Sequence, residues 1–569
     1  MSLSAQGAAG AGLLLTLAVG GPAPAAPFSD GCIPAIVIHV ATNGNDDTGD
    51  GSLGQPYQTI ARAALDAAPG RAITLHPGTY GGDTYLENLH GLTNAPIWIR
   101  GLTPTNRPVL QGGGEGLHLI RPRCVIVENL VLTGSSDNGL NTDDGGDYAD
   151  PEAARFVVFS NLYIHHVGSG GNEDGLKLSG LNDFWVLNSE IMECGGDASG
   201  SGVDMVGCRR GVVEGCYFHD LSANAVQCKG GTAQVDIRRS RIINAGHRGI
   251  NIGGSTGFEY FRPPLSTSAA NTEASDIRVY ANLFQGSTAA VAYVGAVNCL
   301  VANNTIVNPT RWVLRILQET VSSPPYTFTP CRSNRFDNNI VYFNSAVLSQ
   351  AVNIGPDTDS GSFVFANTLW YAHNNPAAST PSLPGTVVNL VTGQNPAFAS
   401  AAASNYAITV QSPAATNGAL NGLGPDFAGN PFLSPPSRGA HEVTGDTDAD
   451  GLPDAWELRY LQRLSDGAGD DPDADRQNNA AEYGGDTHPN DPASLLRLSA
   501  GEWAGAGVRW TWSGGVQSTQ WLEVAETVSS SGGWNWRGLI TNRPPTALTN
   551  AWTDPAVRTA AVYRLRAGR

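Results

Sequence analysis

Of the 33 cationic side chains in this sequence, 31 are arginine and two are lysine, Lys177 and Lys229. A guanidinium keeps its charge in proteins, whereas a desolvated amine can release its proton and act as a base. A chain that otherwise uses arginine therefore marks these two positions for proton chemistry. Acids and further cations stand nearby: Glu173 and Asp174 before Lys177, Asp204 between the lysines, His247 and Arg248 after Lys229. One reaction suits such a set. Abstracting the proton α to a carboxylate needs a neutral base and a cation that neutralises the carboxylate. A calcium ion held by acidic side chains is one suitable neutraliser.

Residues so far apart can cooperate only if a repetitive fold stacks them. A short pattern, small-apolar-X-apolar, recurs eight times, with X at His118, Asn141, Lys177, Asp204, Gln227, Asn251, Ala292 and Arg315. The steps are 23, 36, 27, 23, 24, 41 and 23 residues, a coil near 23 with occasional insertions. Between the copies runs apolar alternation broken by asparagine, as in Val125–Asn129, Val157–Asn161 and Leu300–Asn304. Each coil therefore holds at least two short strands. One coil cannot bury its own apolar face, but stacked coils can. The residues flanking X point inward and X points outward. Successive X residues then form a polar row suited to a polymer of hydroxylated or acidic sugars. His118, Asn141, Gln227, Asn251 and Arg315 are its candidate substrate-binding side chains, and Lys229, Lys177, Arg248 and His247 its candidate catalytic ones.

The entry segment 38–80 is Ile38-His39-Val40-Ala41-Thr42-Asn43-Gly44-Asn45-Asp46, then Gln55–Ile60, a helical piece Ala61–Ala68, and Ala72–Tyr80. It resembles the start of secreted proteins of the pectate-lyase-like superfamily, and 405–408 with 429–442 resemble their end. The resemblance spans about 36–442 and implies a right-handed parallel β-helix. Asn172-Glu173-Asp174-Gly175 and Gly202-Val203-Asp204-Met205 further resemble the calcium motif of family 9 polysaccharide lyases, and Asn224-Ala225-Val226-Gln227-Cys228-Lys229 their lysine-bearing coil. This resemblance implies Asp174 and Asp204 as calcium ligands and β-elimination in a uronate polysaccharide. Two departures stand out. Gly200 and Ser201 replace the family's paired aspartates, and the lysine lies two residues late, with Gln227 in its place. Arg248 would then neutralise the substrate, as in β-helix lyases that pair lysine with arginine. Asn172–Gly175 and His247–Gly253 also resemble polygalacturonase motifs, so a glycoside hydrolase using Asp174 and Asp204 is the alternative. A non-catalytic carbohydrate-binding or adhesion protein is a third.

After 442 the composition changes. Residues 446–491 hold 13 acidic residues against 3 arginines, much of the formal charge of −18. Asp446, Asp448, Asp450, Asp454 and Glu457 fall at loop positions 1, 3, 5, 9 and 12, with Gly451 at 6, the template of an EF-hand calcium loop. Asp471, Asp473, Asp475, Asn479 and Glu482 repeat it, with Arg476 for the glycine. The segment resembles dockerin-like calcium linkers of secreted bacterial proteins, so the implied cofactor is structural Ca2+. From 496 onward, alternation and seven tryptophans suit a small β-sandwich, with the rings in its core or as a sugar platform.

The acidity argues against a nucleic-acid partner. Residues 1–26 read as a signal peptide, with the apolar stretch Ala11–Val19 before a small-residue cleavage site. That apolar stretch is too short to span a bilayer, and no other stretch could. The eight cysteines show no metal spacing. Cys208, Cys216 and Cys228 could pair or stay as buried thiols. The expected organisation is a signal peptide (1–26), a parallel β-helix (33–442), a calcium linker (443–492) and a β-sandwich (493–569). An all-β protein, secreted or on the cell surface (extracellular or periplasmic), with a polysaccharide partner, is the expectation.

Overall fold

The computed structural model describes residues 27, 32–168, 170–196, 199–443, 445–446, 448–499, 501–503, 507–528, 534–543, 546–556 and 561–568. The expected signal peptide lies outside these. Three parallel sheets of 15, 10 and 12 strands form the body, and within each sheet the neighbours are successive coils. That is a parallel β-helix. The eight repeat copies all fall in the ten-stranded sheet and pair in register, X against X. Two further strands extend it, Thr84–Glu87 at one end and Gln350–Ile354 at the other.

The small residue before each inward apolar one is required by packing. A Cβ at Gly202 would stand 2.7 Å from the Ala225 carbonyl oxygen and 2.9 Å from the Phe218 ring. The asparagine signal marks the turn from the fifteen-stranded to the twelve-stranded sheet. Asn129, Asn161, Asn188, Asn303, Asn338, Asn367 and Asn389 all adopt left-handed φ between 48° and 60°, a region asparagine tolerates better than most residues.

The next residue in the coil points inward, and in three consecutive coils it is also asparagine. Asn282, Asn304 and Asn339 are wholly buried and stacked. The Asn304 amide donates to the carbonyls of Val279 and Ala302 and to Asn339 Oδ1, while its own oxygen accepts from Asn282. Asn304→Ala would strand several of these groups, each costing about 1–3 kcal/mol. Its unfolding free energy should fall by about 3 kcal/mol or more; a loss below about 1 kcal/mol in denaturant titration would contradict this role.

A short helix, Ile60–Ala64, lies near the first coils with Ile60 and Ala63 buried and Thr59 as its cap. It is shorter than the expected 61–68. Strand pairing ends at Val391–Thr392. Residues 414–440 then run back over the asparagine turns, where Asn303 and Asn338 donate to the carbonyls of Ser437 and Ala419. Leu423 and Phe432 cover Tyr280 and Leu300 on the same flank.

Two helices follow, Asp454–Tyr460 and Asn479–Gly485. Leu452 and Trp456 bury themselves with Ile340, Leu369 and Leu433, which fastens the acidic segment to the β-helix. The C-terminal strands form two small antiparallel sheets of four and three strands. Trp512 is buried there, whereas Trp503 and Trp534 are exposed. Cys208, Cys216 and Cys228 are buried thiols and form no disulfide with one another.

Candidate functional site

Register places Tyr85, His118, Asn141, Lys177, Asp204, Gln227, Asn251, Ala292, Arg315 and Asn353 in one outward row. Lys229 is two residues beyond Gln227 on the same strand and so faces the same way. The two lysines meet. Lys177 Nζ contacts Asp204 Oδ2 and lies 3.0 Å from Asp174 Oδ2, and Lys229 Nζ lies 3.1 Å from the same Asp204 oxygen. Asp174 Oδ1 accepts the Ser201 N–H at 2.7 Å. Asp204 Oδ1 is buried with no hydrogen-bond partner among the described residues. Both carboxylates are enclosed, while the lysine side chains keep 16% and 10% of their surface exposed.

The charges divide accordingly. Burial raises the Asp174 carboxyl, and the neighbouring Asp204 raises it further, beyond what the lysines offset. Burial would raise Asp204 too, but Lys177 and Lys229 outweigh it and hold it ionised. Burial would lower Lys177, yet the two aspartates prevail and hold it as a cation. This bears on two expectations. The ammonium of Lys177 fills the space between Asp174 and Asp204 where a calcium ion would bind both. A group held protonated in this way is a poor proton acceptor, so Lys177 fits a cationic role and not that of a base.

The row is not an open trough throughout, which corrects the expected long groove. Asp204, Gln227, Asn251 and Ala292 are all buried. The insertion after Arg248–Gly253 folds back beside Lys229, with Gly254 packed on the Lys229 and Gln227 side chains. Arg262 in that insertion donates to the Gly230 carbonyl at 3.0 Å and pairs with buried Asp144 at 2.6 Å, four coils away. Buried Glu273 closes the insertion by accepting from Gly230, Thr256 and Thr320. Gln227 bonds Asn224 at 3.2 Å, and Asn251 accepts from Arg248 at 3.0 Å. His247 is exposed at the start of its strand and joins none of these groups, and Arg248 pairs with Glu319 at 2.7 Å.

Toward the N-terminal end, His118 lies between Glu115 at 2.8 Å and Asp143 at 2.7 Å, and Asn141 donates to Glu115 at 2.9 Å. Burial would lower the imidazole, but the hydrogen bonds and charges of Asp143 and Glu115 raise it to about 9. The folded value exceeds the unfolded one, so the stabilisation is complete below about pH 6.5 and is lost as the pH rises through about 9. It amounts to about 3 kcal/mol at most. Compared with His118→Asn, the parent chain should therefore be more stable at pH 6 and lose that advantage in alkali. A stability difference independent of pH would refute the charged pair.

The acidic segment forms two loops of the same geometry. The carboxylates of Asp446, Asp448 and Asp450 converge within 4.8 Å of one another, as do those of Asp471, Asp473 and Asp475. Each triad could hold a metal ion. Gly451 and Arg476 both take left-handed φ, 95° and 80°, and their N–H groups reach Asp446 and Asp471 at 3.0 Å. Glu457 and Glu482 are buried, and among the described residues all four carboxylate oxygens lack hydrogen-bond partners, as does Asn479 Oδ1. Burial and the aspartates beside them, Asp454 included for Glu457, push the two glutamates up to about 7 and about 8. Such crowding of acid is what a cation would relieve.

Tyr85, Asn353, Glu115 and Asp143 were not among the expected site residues. The strand of Tyr85 has Asp83 where the repeat has its small residue, whereas Ala351-Val352-Asn353-Ile354 fits the repeat and was open to reading. The other two could have been found by asking which acids neighbour a row member on its own or an adjacent strand.

Residues 105–261 match the family described as "Right handed beta helix region", and residues 42–86 match "Protein of unknown function (DUF1565)". No curated protein matches the chain in sequence. Among solved structures, the pectate lyase Pel9A is 16% identical over 74% of this chain and 100% of its own, with a TM-score of 0.47. An alginate lyase from Paenibacillus sp. str. FPU-7 is 18% identical over 63% and 99%, with a TM-score of 0.37. The A-module of the Azotobacter vinelandii mannuronan C-5 epimerase AlgE4 is 12% identical over 58% and 90%, with a TM-score of 0.41. At these values the likeness is one of fold, and no activity transfers with it.

Proposed function

We propose that this β-helix protein binds an acidic polysaccharide across the exposed parts of its ten-stranded sheet and cleaves it by β-elimination at the lysine pair. One observation carries the reading: the only two lysines of the chain end on the same carboxylate oxygen of Asp204. In this cluster the lysine side chains, not the carboxylates, keep some exposure.

Lys177, held cationic by Asp174 and Asp204, would neutralise the uronate carboxylate in place of a metal ion. Lys229, which shares its carboxylate partner Asp204 with Lys177, would pass its proton to solvent and then take the C5 proton. The C4–O bond then breaks, a C4=C5 double bond forms, and the ammonium of Lys229 returns the proton to the departing oxygen. Atoms and charge balance without a further acid. His247 and Arg248 have no part in these steps.

The hydrolase reading draws on one observation, the opposite protonation tendencies of Asp174 and Asp204. An acid and a second carboxylate are what hydrolysis needs, but both are enclosed. Incubation with a panel of acidic polysaccharides tests the reading. Unsaturated ends that absorb in the near ultraviolet support elimination. Saturated ends carrying an added water overturn it, as does binding with no change of chain length.

We further propose that Ca2+ occupies both acidic loops in a structural role. Asp446, Asp448, Asp450, Asp454 and Glu457 would hold one ion, and Asp471, Asp473, Asp475, Asn479 and Glu482 the other. At a hundredfold excess over its Kd, each ion should stabilise the folded segment by about 2.7 kcal/mol. A chelator should therefore lower the unfolding midpoint and calcium restore it. An unchanged midpoint would exclude tight structural sites.

A further inference from the structure

The far end of the same row carries a net positive patch. Arg248 and Asn251 form one rung, Ala289 and Ala292 the next, Trp312 and Arg315 the one after. The alanines give the guanidiniums room to close over them, and both are buried. Trp312 organises the group, with the guanidinium of Arg311 at 4.1 Å and that of Arg315 at 4.6 Å from its ring centre. Arg315 donates to Asn353 at 3.0 Å, and Arg248 pairs with Glu319. Burial and the charges of Arg248 and Arg311 lower the proton affinity of Arg315, and Glu319 offsets this only in part. Three guanidiniums thus face one carboxylate, in a chain of formal charge −18.

We propose that Arg311, Arg315 and Arg248 form a second anchor for the polymer, an anion subsite that takes the carboxylate or sulfate of a sugar residue distant from the cleaved bond. It rests on the reading of this face as a polysaccharide site. Stacked guanidiniums present paired N–H donors that match a planar carboxylate or a sulfate edge. Five rungs separate Lys177 from Arg315, about 24 Å along the axis. Only a chain of several sugar residues spans that distance, so the subsite selects long polyanions over short oligomers.

The test compares the full chain with Arg311→Gln/Arg315→Gln, and with Arg315→Gln alone should the pair fail to fold. Calorimetry is run with long polygalacturonate, dextran sulfate, neutral dextran and a galacturonate trimer. The double variant should lose about tenfold or more in affinity for a long polyanion, with KM raised and kcat kept, and bind the trimer as the parent does. Loss with polygalacturonate alone identifies a carboxylate ligand, loss with dextran sulfate alone a sulfate, and loss with both their shared chemistry. Unchanged affinity, a parent that binds neither polyanion, or an equal loss with neutral dextran would overturn the proposal. Arginine-dependent binding without cleavage of any polymer would keep the anchor and remove the elimination. Cleavage that ignores the arginines would do the reverse.

Discussion

Lys229→Ala should reduce cleavage of a uronate polymer by about a thousandfold, the scale of a lost general base, and leave a folded protein. Asp204 keeps the Lys177 ammonium in that variant, so the loss of stability should stay within about 2 kcal/mol. Lys229→Arg separates chemistry from structure. A guanidinium can replace the ion pair with Asp204 but cannot give up its proton at neutral pH. A structural lysine would be rescued by arginine, whereas a base would not. Full activity in the arginine variant would remove Lys229 from the reaction.

Lys177→Met should instead act on the fold. It leaves Asp174 and Asp204, both fully enclosed, on adjacent rungs without the ammonium that joins them. Removing one partner of a buried ion pair costs about 3–5 kcal/mol. Asp174→Asn in the same chain should recover much of that, since an amide carries no charge for Asp204 to repel. Additive losses in the double variant, measured by denaturant unfolding, would show that the two side chains do not share their energetics.

The row was legible because it is periodic. Each X is fixed by its inward neighbours, and one residue of slip would turn every side chain to the other face. Lys177 and Asp204 were therefore on adjacent rungs before any coordinates. That both amines end on one oxygen was not legible, because it depends on side-chain rotamers and not on register. Nor was the closure of the row over Asn251 and Ala292. The 41-residue step announced an insertion after Asn251, but not which way it would fold. Its anchor, Arg262 to Asp144, joins residues 118 positions apart with no pattern between them. The return of 414–440 along the flank escaped for the same reason. The two acidic loops lay open to reading because their carboxylates are local in sequence, and Arg476 adopts the left-handed backbone that Gly451 takes in the first loop.

Mass spectrometry of the products from wild-type and Lys229→Arg protein, each incubated with polyuronate chains, tests the account at its centre. It predicts fragments whose masses sum to that of the parent chain, each cut leaving one unsaturated end, from the wild type alone. Fragments heavier by one water per cut, or identical products from both proteins, would contradict it.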